Sequence, residues 1–432
     1  MTSRKPVAKN ESIVIVGAGV FGLSTALELS KRGFKNITVL DRYLPPVIDG
    51  SSVDISRVIR VEYADPFYGK MAREALDGWN GQYAEHFHQS GFVMLSEKAG
   101  NTFAEQSKTA NKELGDEVLE EYEDARDIKR QFPAVQAKLD GLKAYYNKTG
   151  GWADAEGGIR QLAMECSLAG VSFVTGPRGR VVSLRYSGRK VTGVNVAEGE
   201  PIEAAQVILS TGAWTNHLLP ISHASSGSGQ PVGFVRLTPQ EAEKLADMPV
   251  MINLSTGVFI FPPTPKTHIL KIARHGYGWA TEFEVKDPLG ESRTVSAPKS
   301  DENNATANYL PEDAERALRE GLQQLVPEIG NHDWLRQRLC WYSDTPEGDF
   351  IVDYHPNREG IFLATGGAGH GYKFLPILGR YIADCFEDKA SAELRHKWRL
   401  RAPTGKDMVK AGDGSRGGPP LRKLASWEQA KL

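Results

Sequence analysis

Cysteine, long apolar runs and an excess of charge of one sign are all scarce in this sequence of 432 residues. The three cysteines, Cys166, Cys340 and Cys385, are too few and too scattered for a disulfide framework or a zinc site, so we expect no metal centre and a reducing compartment. A formal net charge of −2 gives no electrostatic footprint for nucleic acid or an anionic membrane. No apolar stretch approaches a membrane span, and the polar start MTSRKPVAKN does not predict a secretory signal.

A glycine-rich turn near the N-terminus is the strongest motif in the chain. Residues 13–16 predict a buried parallel strand that runs into Gly17, Gly19 and Gly22, after which a helix begins. The first two glycines let the backbone approach a pyrophosphate, and the third lets the helix pack on the strand. Asp41 ends a second predicted strand, where a carboxylate can accept from ribose hydroxyls. The pattern predicts a dinucleotide site, and an NAD-dependent dehydrogenase of the Rossmann type remains one interpretation.

Two later stretches predict a return to the same sheet. A buried strand begins at Gln206 and ends in the small-residue turn Thr211-Gly212-Ala213-Trp214, and a strand over 360–365 leads into a glycine-rich loop and a helix over 377–386. Between these stretches, period-two alternation over 229–275 predicts an antiparallel sheet. The cofactor domain is therefore expected to be discontinuous.

The predicted class is α/β, with a Rossmann-like cofactor domain and a second domain built on an antiparallel sheet. The expected division is a cofactor domain of residues 10–90, 150–220 and 335–400, a substrate domain of residues 91–149 and 221–334, and a mainly irregular tail of residues 401–432. Apolar spacing predicts an amphipathic helix over 66–90, and the charged stretch 105–131 is expected to be helical and exposed.

Three basic residues could serve an anionic ligand. Arg57 and Arg60 share one face if their segment is helical, whereas it could also be extended or a solvated basic face. Lys271 alternates with apolar Leu270 and Ile272, so its side chain either reaches solvent or points into a cavity.

The blocks GAGVFG, STGAWT, LKIARH, CWYSDTP and GGAGHGYKF, in this order, resemble the flavin oxidases of secondary amino acids. That family includes monomeric sarcosine oxidases, pipecolate oxidases and the amadoriases, which are fructosyl amino acid oxidases. The stretches PPVIDGSSVD and GQPVGFVRLTPQE resemble its fungal saccharopine oxidases in particular. The resemblance covers nearly the whole chain and implies a fold like that of D-amino acid oxidase.

The resemblance implies that the cofactor is FAD, joined through the Cys340 sulfur to the 8α-methyl of its ring. From the residues alone, Cys340 could equally be a small buried hydrophobe. The implied FAD contacts are Gly17, Gly19, Val20, Phe21, Gly22, Asp41, Arg42, Ser51, Ser52, Arg57, Val181, Thr211, Gly212, Trp214, Gly367, Gly369, His370, Gly371 and Lys373.

The same resemblance implies the roles of the site residues. Lys271 matches the lysine at the flavin face where oxygen reacts, and Arg60 with Lys373 matches the pair that clamps a substrate carboxylate. Neighbours of flavin and substrate are implied at Arg57, Tyr63, His275 and Tyr342. The tail residue Arg416 either meets a distal substrate carboxylate or belongs to a solvated tail.

The implied reaction oxidises the CH₂–NH bond of an N-substituted amino acid with O₂, giving an aldehyde, a primary amino acid and H₂O₂. Amadoriases usually have an acidic residue where this chain has His275, and sarcosine enzymes have a histidine where it has Val53. The first departure weakens a sugar-bearing substrate and the second a small, sarcosine-like one, so saccharopine is the expected substrate, with a fructosyl amino acid, pipecolate or sarcosine as the alternatives. A non-catalytic flavoprotein or a specialised biosynthetic oxidase is a further interpretation.

The C-terminal tripeptide Ala430-Lys431-Leu432 resembles the Ser-Lys-Leu peroxisomal address. Since a peroxide producer suits a peroxisome, we expect the import receptor as a partner and peroxisomal localisation, with the cytoplasm as the alternative. Nothing in the sequence requires more than a monomer.

Overall fold

The computed structural model describes residues 6–115, 119–286, 289–290, 292–299, 307–406, 408, 410 and 414–432. Within this part of the chain, the main chain is organised around two large β-sheets. None of its helices has the length and apolar composition that crossing a lipid bilayer requires.

The first sheet is a six-stranded, mostly parallel sheet that begins with the motif strand. Its strands, in spatial order, are Ile351–Tyr354, Ile361–Thr365, Gln206–Leu209, Ser12–Val16, Asn36–Leu40 and Ser172–Val174. Only the pairing of Ile351–Tyr354 with Ile361–Thr365 is antiparallel. Each predicted return of the chain to this sheet is therefore present.

Both faces of the first sheet are covered, which explains the continuous apolar run at its centre. Ile13 and Ile15 pack with the helices Val20–Lys31, Ala155–Leu168 and Leu375–Phe386. Val14 and Val16 point to the other face and pack with a small antiparallel sheet of Val181–Ser187, Lys190–Val196 and Ile202–Glu203. A parallel strand buried on both faces has this apolar sequence because neither face meets water.

The second sheet has ten strands and is mainly antiparallel. In order along it are Arg422–Lys423, Trp279–Ala280, Ser226–Arg236, Ile269–Arg274, Val258–Ile260, Val250–Asn253, Phe92–Glu97, Leu142–Asn147 and Leu119–Tyr122, while Arg336–Asp344 also pairs with Ser226–Arg236. Leu270 and Ile272 pack in a core with the helix Glu312–Leu325. Because side chains alternate along a strand, Lys271 lies on the opposite face.

The remaining elements are short sheets and helices. Small sheets are formed by Arg57–Ile59, Gly151–Ala153 and Phe87–His88 and by Phe283–Lys286 and Ser292–Val295. The other helices are Pro66–Asn80, Thr102–Glu113, Ile128–Gln131, Thr215–Leu218, Pro239–Leu245, Ala392–Lys397 and Ser426–Gln429.

The α/β class with a second, antiparallel sheet is confirmed, but two predicted helices are too long. The first ends at Asn80, where Gly81 follows, and the chain then forms the strand Phe87–His88. The charged stretch forms the helix Thr102–Glu113, which ends before Gly115 with φ of 81°. A glycine in the left-handed region of φ commonly ends a helix, and a prediction from residue spacing alone does not identify such an end.

The domain boundaries stay a prediction. The strand Arg336–Asp344, assigned by sequence to the cofactor domain, is hydrogen-bonded within the second sheet. This strand of the expected cofactor domain is therefore part of the second sheet.

Candidate active site

One cleft connects the glycine turn of the first sheet to the face of the second sheet that carries Lys271. Most of the predicted site residues line it: Gly17, Gly19, Val20, Phe21, Asp41, Arg42, Ser51, Ser52, Arg57, Arg60, Val181, Thr211, Gly212, Trp214, Lys271, His275, Cys340, Tyr342, Gly367, Gly369, His370, Gly371 and Lys373. Among the described residues, Gly22, Tyr63 and Arg416 lie outside this lining.

The glycine turn has the geometry that a pyrophosphate requires. Gly17 has φ of 107°, and a Cβ there would lie 2.5 Å from the carbonyl oxygen of Ser210. A Cβ at Gly22 would lie 1.9 Å from the carbonyl oxygen of Gly17, so this glycine permits the close helix packing that the motif predicts. The N-cap residue of the helix Val20–Lys31 is Gly19, which has no side chain to cap it, and the Ser52 hydroxyl accepts from the Val20 N–H at 3.0 Å; the positive dipole end of this helix faces the cleft.

Asp41 lies beside this turn at the end of its strand. Its carboxylate accepts hydrogen bonds from the backbone N–H groups of Ala18 and Arg42, both at 2.7 Å. Burial raises the pKa of Asp41 to about 6, although these two N–H groups oppose the shift. The guanidinium of Arg42 pairs with Asp49 at 2.6 Å and lies over the ring of Trp214. A carboxylate and an aromatic wall at this end suit a ribose and its base.

The loop after Thr365 provides a flat backbone surface at the other end of the cleft. Gly369 has φ of 81°, and a Cβ there would lie 2.5 Å from the ring of Tyr342. A Cβ at Gly371 would meet the ring of Phe21 at 2.8 Å. These glycines therefore let the loop pack directly on aromatic rings, and a flat group can lie against it.

Cys340 is the only one of the three free cysteines that lines the cleft. It lies opposite Gln230 in the sheet, and its Sγ is 3.7 Å from an Nη atom of Arg57. Burial raises the pKa of Cys166 and of Cys385 to about 12, and both pack in the core beneath the first sheet. The position of Cys340 thus differs from that of an inert core cysteine.

Lys271 points into the cleft, as one of the two sequence-based interpretations predicted. Its Nζ donates to the carbonyl oxygen of Ser56 at 2.6 Å and lies 3.0 Å from a carboxylate oxygen of Asp54. The residue is 2% exposed, and burial lowers its pKa to about 7, although the charge of Asp54 opposes the shift.

Asp54 was not predicted from the sequence. Its Oδ2 also lies 2.7 Å from Arg57 and 3.4 Å from Arg338, so one buried carboxylate is shared by three cations. These cations hold the pKa of Asp54 well below its usual value. Because Arg57 lies on the strand Arg57–Ile59, the extended interpretation of this segment is correct, and the helical one is wrong.

Arg60 and Lys373 meet at the ring of Tyr63. The Arg60 guanidinium lies 5.1 Å from the ring centroid and the Lys373 Nζ 4.7 Å. Lys373 donates to the Tyr63 hydroxyl at 2.8 Å, and its backbone carbonyl accepts from the indole N–H of Trp79. Burial and the neighbouring Arg60 lower the pKa of Lys373 well below its usual value. Two cations that belong to different elements are thus held side by side.

A defined hydrogen-bond chain continues from Tyr63. His370 Nε2 lies 2.8 Å from the carbonyl oxygen of Gly348, which can only accept, so Nε2 carries the proton. Burial lowers the pKa of His370 well below its usual value, which leaves Nδ1 as an acceptor for the Tyr63 hydroxyl at 2.9 Å. The chain runs from Lys373 through Tyr63 and His370 to Gly348.

His275 and Tyr342 form a second pair, with Nδ1 of the histidine 3.2 Å from the tyrosine oxygen. Burial, together with the positive charges of Arg416, Arg60, Lys373 and Lys410, lowers the pKa of His275 well below its usual value. Burial raises the pKa of Tyr342. Both groups are therefore neutral near pH 7.

Arg416 is 6% exposed, so the solvated-tail interpretation is wrong. Its guanidinium forms a bidentate pair with Asp344, at 2.5 and 2.9 Å, and donates to the carbonyl oxygens of Gly276 and Ala368. A direct contact with a substrate carboxylate remains a prediction, because in this arrangement Asp344 occupies the planar fork. Asp344, like Asp54, was not predicted from the sequence.

The two ends of the cleft together fit FAD. The glycine cradle and Asp41 would hold the pyrophosphate and ribose, and the backbone surface at Gly367 to Gly371 would support the ring system beside Cys340.

Comparison with known proteins points in the same direction. The family model described as FAD dependent oxidoreductase matches residues 12–385. The chain is 30% identical over 409 residues to L-saccharopine oxidase of Schizosaccharomyces pombe, covering 91% of this chain and 93% of that protein. It is 26% identical to monomeric sarcosine oxidase of a Bacillus species, covering 86% and 91%. The crystal structure of fructosyl amine oxidoreductase (Amadoriase I) from Aspergillus fumigatus superposes with a TM-score of 0.85 and 28% identity, covering 99% and 98%.

Proposed function

We propose a specific reaction for this chain, which belongs to the FAD dependent oxidoreductase family: the oxidation of a secondary amine in an N-substituted amino acid. A substrate R–CH₂–NH–CH(R′)–COO⁻ reacts with O₂ and water to give the aldehyde R–CHO, the primary amino acid and H₂O₂. Bound FAD would supply the acceptor for the electron pair of a C–H bond on the carbon next to nitrogen and the route by which those two electrons reach O₂. With saccharopine the products are 2-aminoadipate semialdehyde and glutamate.

The observation that carries the proposal is the pairing of Arg60 with Lys373 in the same cleft as Lys271 and Cys340. Arg60 presents a planar fork and Lys373 a point charge, and together they suit one carboxylate. A carboxylate fixed there sets the adjacent amine in one position, and such positioning supplies much of the rate of a two-reactant step.

The amine must be neutral before it can lose an electron pair. The positive charges of Arg60 and Lys373 favour the neutral form of a nearby amine, because a like charge disfavours the protonated one. His275 is neutral, so it adds no third cation beside the amine.

Lys271 serves the oxygen half of the reaction. The first electron that reaches O₂ produces a negative charge, and a preorganised ammonium group stabilises that charge as it develops. The Asp54 carboxylate and the Ser56 carbonyl hold this ammonium group in place.

The covalent link of FAD to Cys340 is part of the proposal. Cys340 lines the cleft that also contains Gly367, Gly369 and Gly371, and its Sγ lies 3.7 Å from an Nη atom of Arg57, so the sulfur is placed where a flat ring bound in this cleft could be joined to it.

Saccharopine is the preferred substrate because Lys410 adds a positive charge that acts on His275 beyond those of Arg60 and Lys373. A substrate with several carboxylates suits this charge better than sarcosine or pipecolate does. We expect peroxide release to be fastest with saccharopine in a panel with fructosyl-valine, pipecolate and sarcosine. Faster oxidation of fructosyl-valine would instead identify an amadoriase, and no oxidation of any of the four would refute the proposal.

We also propose that the enzyme is a monomer imported into peroxisomes through its C-terminal tripeptide. In the folded chain Leu432 is 6% exposed, and Lys299 donates to its carbonyl oxygen at 2.8 Å. An import receptor would have to release this end. An N-terminal fluorescent fusion should localise to peroxisomes and become cytoplasmic when Leu432 is deleted, and an unchanged distribution would contradict the proposal.

A further inference from the structure

Three aromatic side chains form a line that leads from the wall of the cleft toward the surface. Tyr372 lines the cleft, and its ring centroid lies 5.8 Å from that of Trp79. The Trp79 centroid lies in turn 5.6 Å from that of Tyr83. All three side chains are buried in the core beneath the first sheet. Because tyrosine and tryptophan give up an electron more readily than most side chains, this aromatic line can carry charge as well as fill space.

The polar atoms of the aromatic line have different partners. The Tyr372 hydroxyl and the Trp79 indole N–H each donate to a backbone carbonyl oxygen, at 3.0 and 2.7 Å. The Tyr83 hydroxyl instead donates to a carboxylate oxygen of Glu165 at 3.4 Å. Burial and this carboxylate raise the pKa of Tyr83, so the phenol is protonated at neutral pH.

This difference determines where a positive charge in the aromatic line comes to rest. A tyrosine that loses an electron becomes a strong acid, and the resulting radical persists only where a base takes the phenolic proton. A backbone carbonyl is too weak a base, whereas the Glu165 carboxylate can accept the proton of Tyr83. An oxidised indole holds its N–H proton more firmly, so Trp79 can pass the charge on without a base.

The Tyr83 end of the aromatic line lies close to solvent. Glu165 belongs to the helix Ala155–Leu168 and is half-buried. Both of its carboxylate oxygens accept from the side-chain amide of the exposed Gln82, at 2.9 Å. A soluble reductant can therefore approach Tyr83 to within one layer of side chains.

We propose that Tyr372, Trp79 and Tyr83 form an electron-transfer path that removes oxidising equivalents from the cofactor cleft. The oxidant is an oxygen-centred radical of the hydroxyl class, which gains one electron from the path and one proton from solvent and becomes water. Tyr83 supplies that electron through Trp79 and gives its phenolic proton to Glu165. A soluble thiol then returns one hydrogen atom to the Tyr83 oxygen and becomes a thiyl radical, and Glu165 releases its proton to solvent.

Blue light on the holoenzyme tests the path without substrate, because the excited flavin is itself a one-electron oxidant in the cleft. Dissolved O₂ then removes the electron from the flavin and prevents its return. For the wild type we expect a neutral tyrosyl radical in the electron paramagnetic resonance spectrum of samples frozen after illumination. In Tyr83→Phe, which removes only the hydroxyl oxygen, this signal should disappear.

Three further variants test the other parts of the path. Glu165→Gln keeps a hydrogen-bond acceptor but not the base, so the tyrosyl signal should be lost there as well. Trp79→Phe removes the relay and should also abolish the signal. Trp279→Phe is the matched control, because Trp279 is likewise buried and donates its indole N–H, here to Asp313, but lies in the second sheet. Its signal should equal that of the wild type.

Peptide mass spectrometry of the illuminated samples gives an independent readout of where the charge stops. Oxidised products should concentrate at Tyr83 in the wild type and at Trp79 and Tyr372 in Tyr83→Phe. The same distribution of products in both proteins would contradict the assignment of Tyr83 as the end of the path.

Absence of a tyrosyl signal from the wild type would overturn the proposal, and so would equal signals in Tyr83→Phe and the wild type. An unchanged signal in Trp79→Phe or in Glu165→Gln would remove the relay or the base, and with it the path. Loss of the signal in Trp279→Phe would show that it does not report on the aromatic line. Failure of the proposed amine oxidation is a separate result, seen as absence of peroxide with all four amines while illumination still oxidises Tyr83.

Discussion

The Nζ atom of Lys271 lies 3.0 Å from the Asp54 carboxylate, and both side chains are at most 2% exposed. The two residues are 217 positions apart in the chain: Lys271 lies on the strand Ile269–Arg274, and Asp54 lies in the loop before the strand Arg57–Ile59. A buried ammonium group without this neighbour would lose its proton more easily, because burial disfavours the charged form. The contact with Asp54 therefore determines the pH range in which Lys271, the residue proposed to act on O₂, is positively charged.

The first prediction concerns this pH range. With a pKa of about 7, Lys271 is charged below that pH and neutral above it, so the rate constant for reoxidation by O₂ should fall as pH rises through about 7. In Asp54→Asn the Lys271 pKa should decrease further, so the fall in the reoxidation rate should occur at lower pH. A decrease of about one pKa unit would lower the rate at pH 7.5 about tenfold relative to the wild type. Stopped-flow mixing of reduced enzyme with O₂ at several pH values measures this.

Asp49→Asn is the matched control for that experiment. It removes another buried carboxylate from the same loop, one that pairs with Arg42 at the ribose end. Its reoxidation profile should match the wild type. Identical profiles for Asp54→Asn and the wild type would show that Asp54 does not set the charge of Lys271.

A second prediction separates the two half-reactions. Lys271→Met should slow reoxidation far more than reduction by substrate, because the carboxylate clamp lies on Arg60 and Lys373 instead. Lys271→Arg, whose group stays charged in proteins, should retain oxygen reactivity without the fall near pH 7. Equal slowing of reduction and reoxidation in Lys271→Met would remove its role with oxygen.

Lys271 and Asp54 illustrate what the sequence could and could not predict. Lys271 was found because its charge interrupts an apolar alternation, and the glycine turn because local spacing defines it. Asp54 has no such local signal, since its three cationic partners come from other strands and from position 57 on the same segment. Asp344 was missed for the same reason, because only the folded chain shows that it is buried and paired with Arg416.

The third prediction tests the covalent cofactor. In Cys340→Ser the yellow colour should pass into the supernatant on acid precipitation, whereas in the wild type it should stay with the protein. Cys385→Ser changes a buried cysteine outside the cleft and should behave as the wild type does. Flavin that remains attached in Cys340→Ser would refute the link.

A fourth prediction addresses the clamp. Arg60→Gln and Lys373→Met should each raise the KM for saccharopine about 10- to 100-fold, which corresponds to losing one charged hydrogen bond of about 1.5–3 kcal/mol. Arg60→Lys keeps the charge without the planar fork, so its KM should be intermediate. An unchanged KM in Lys373→Met would mean that the substrate carboxylate binds elsewhere.

The last prediction decides between two roles of the tail. If Arg416 mainly anchors the chain, Arg416→Ala should lower the unfolding free energy by about 3–5 kcal/mol, because Asp344 is left buried without its cation. Asp344→Asn should cost a similar amount, and the double variant should lose less than the sum, as expected for residues in contact. If Arg416 instead meets a distal carboxylate, Arg416→Ala should raise the KM for saccharopine and leave that for sarcosine unchanged. Denaturant unfolding and steady-state kinetics on the same preparations distinguish the two, because an anchor affects both substrates alike.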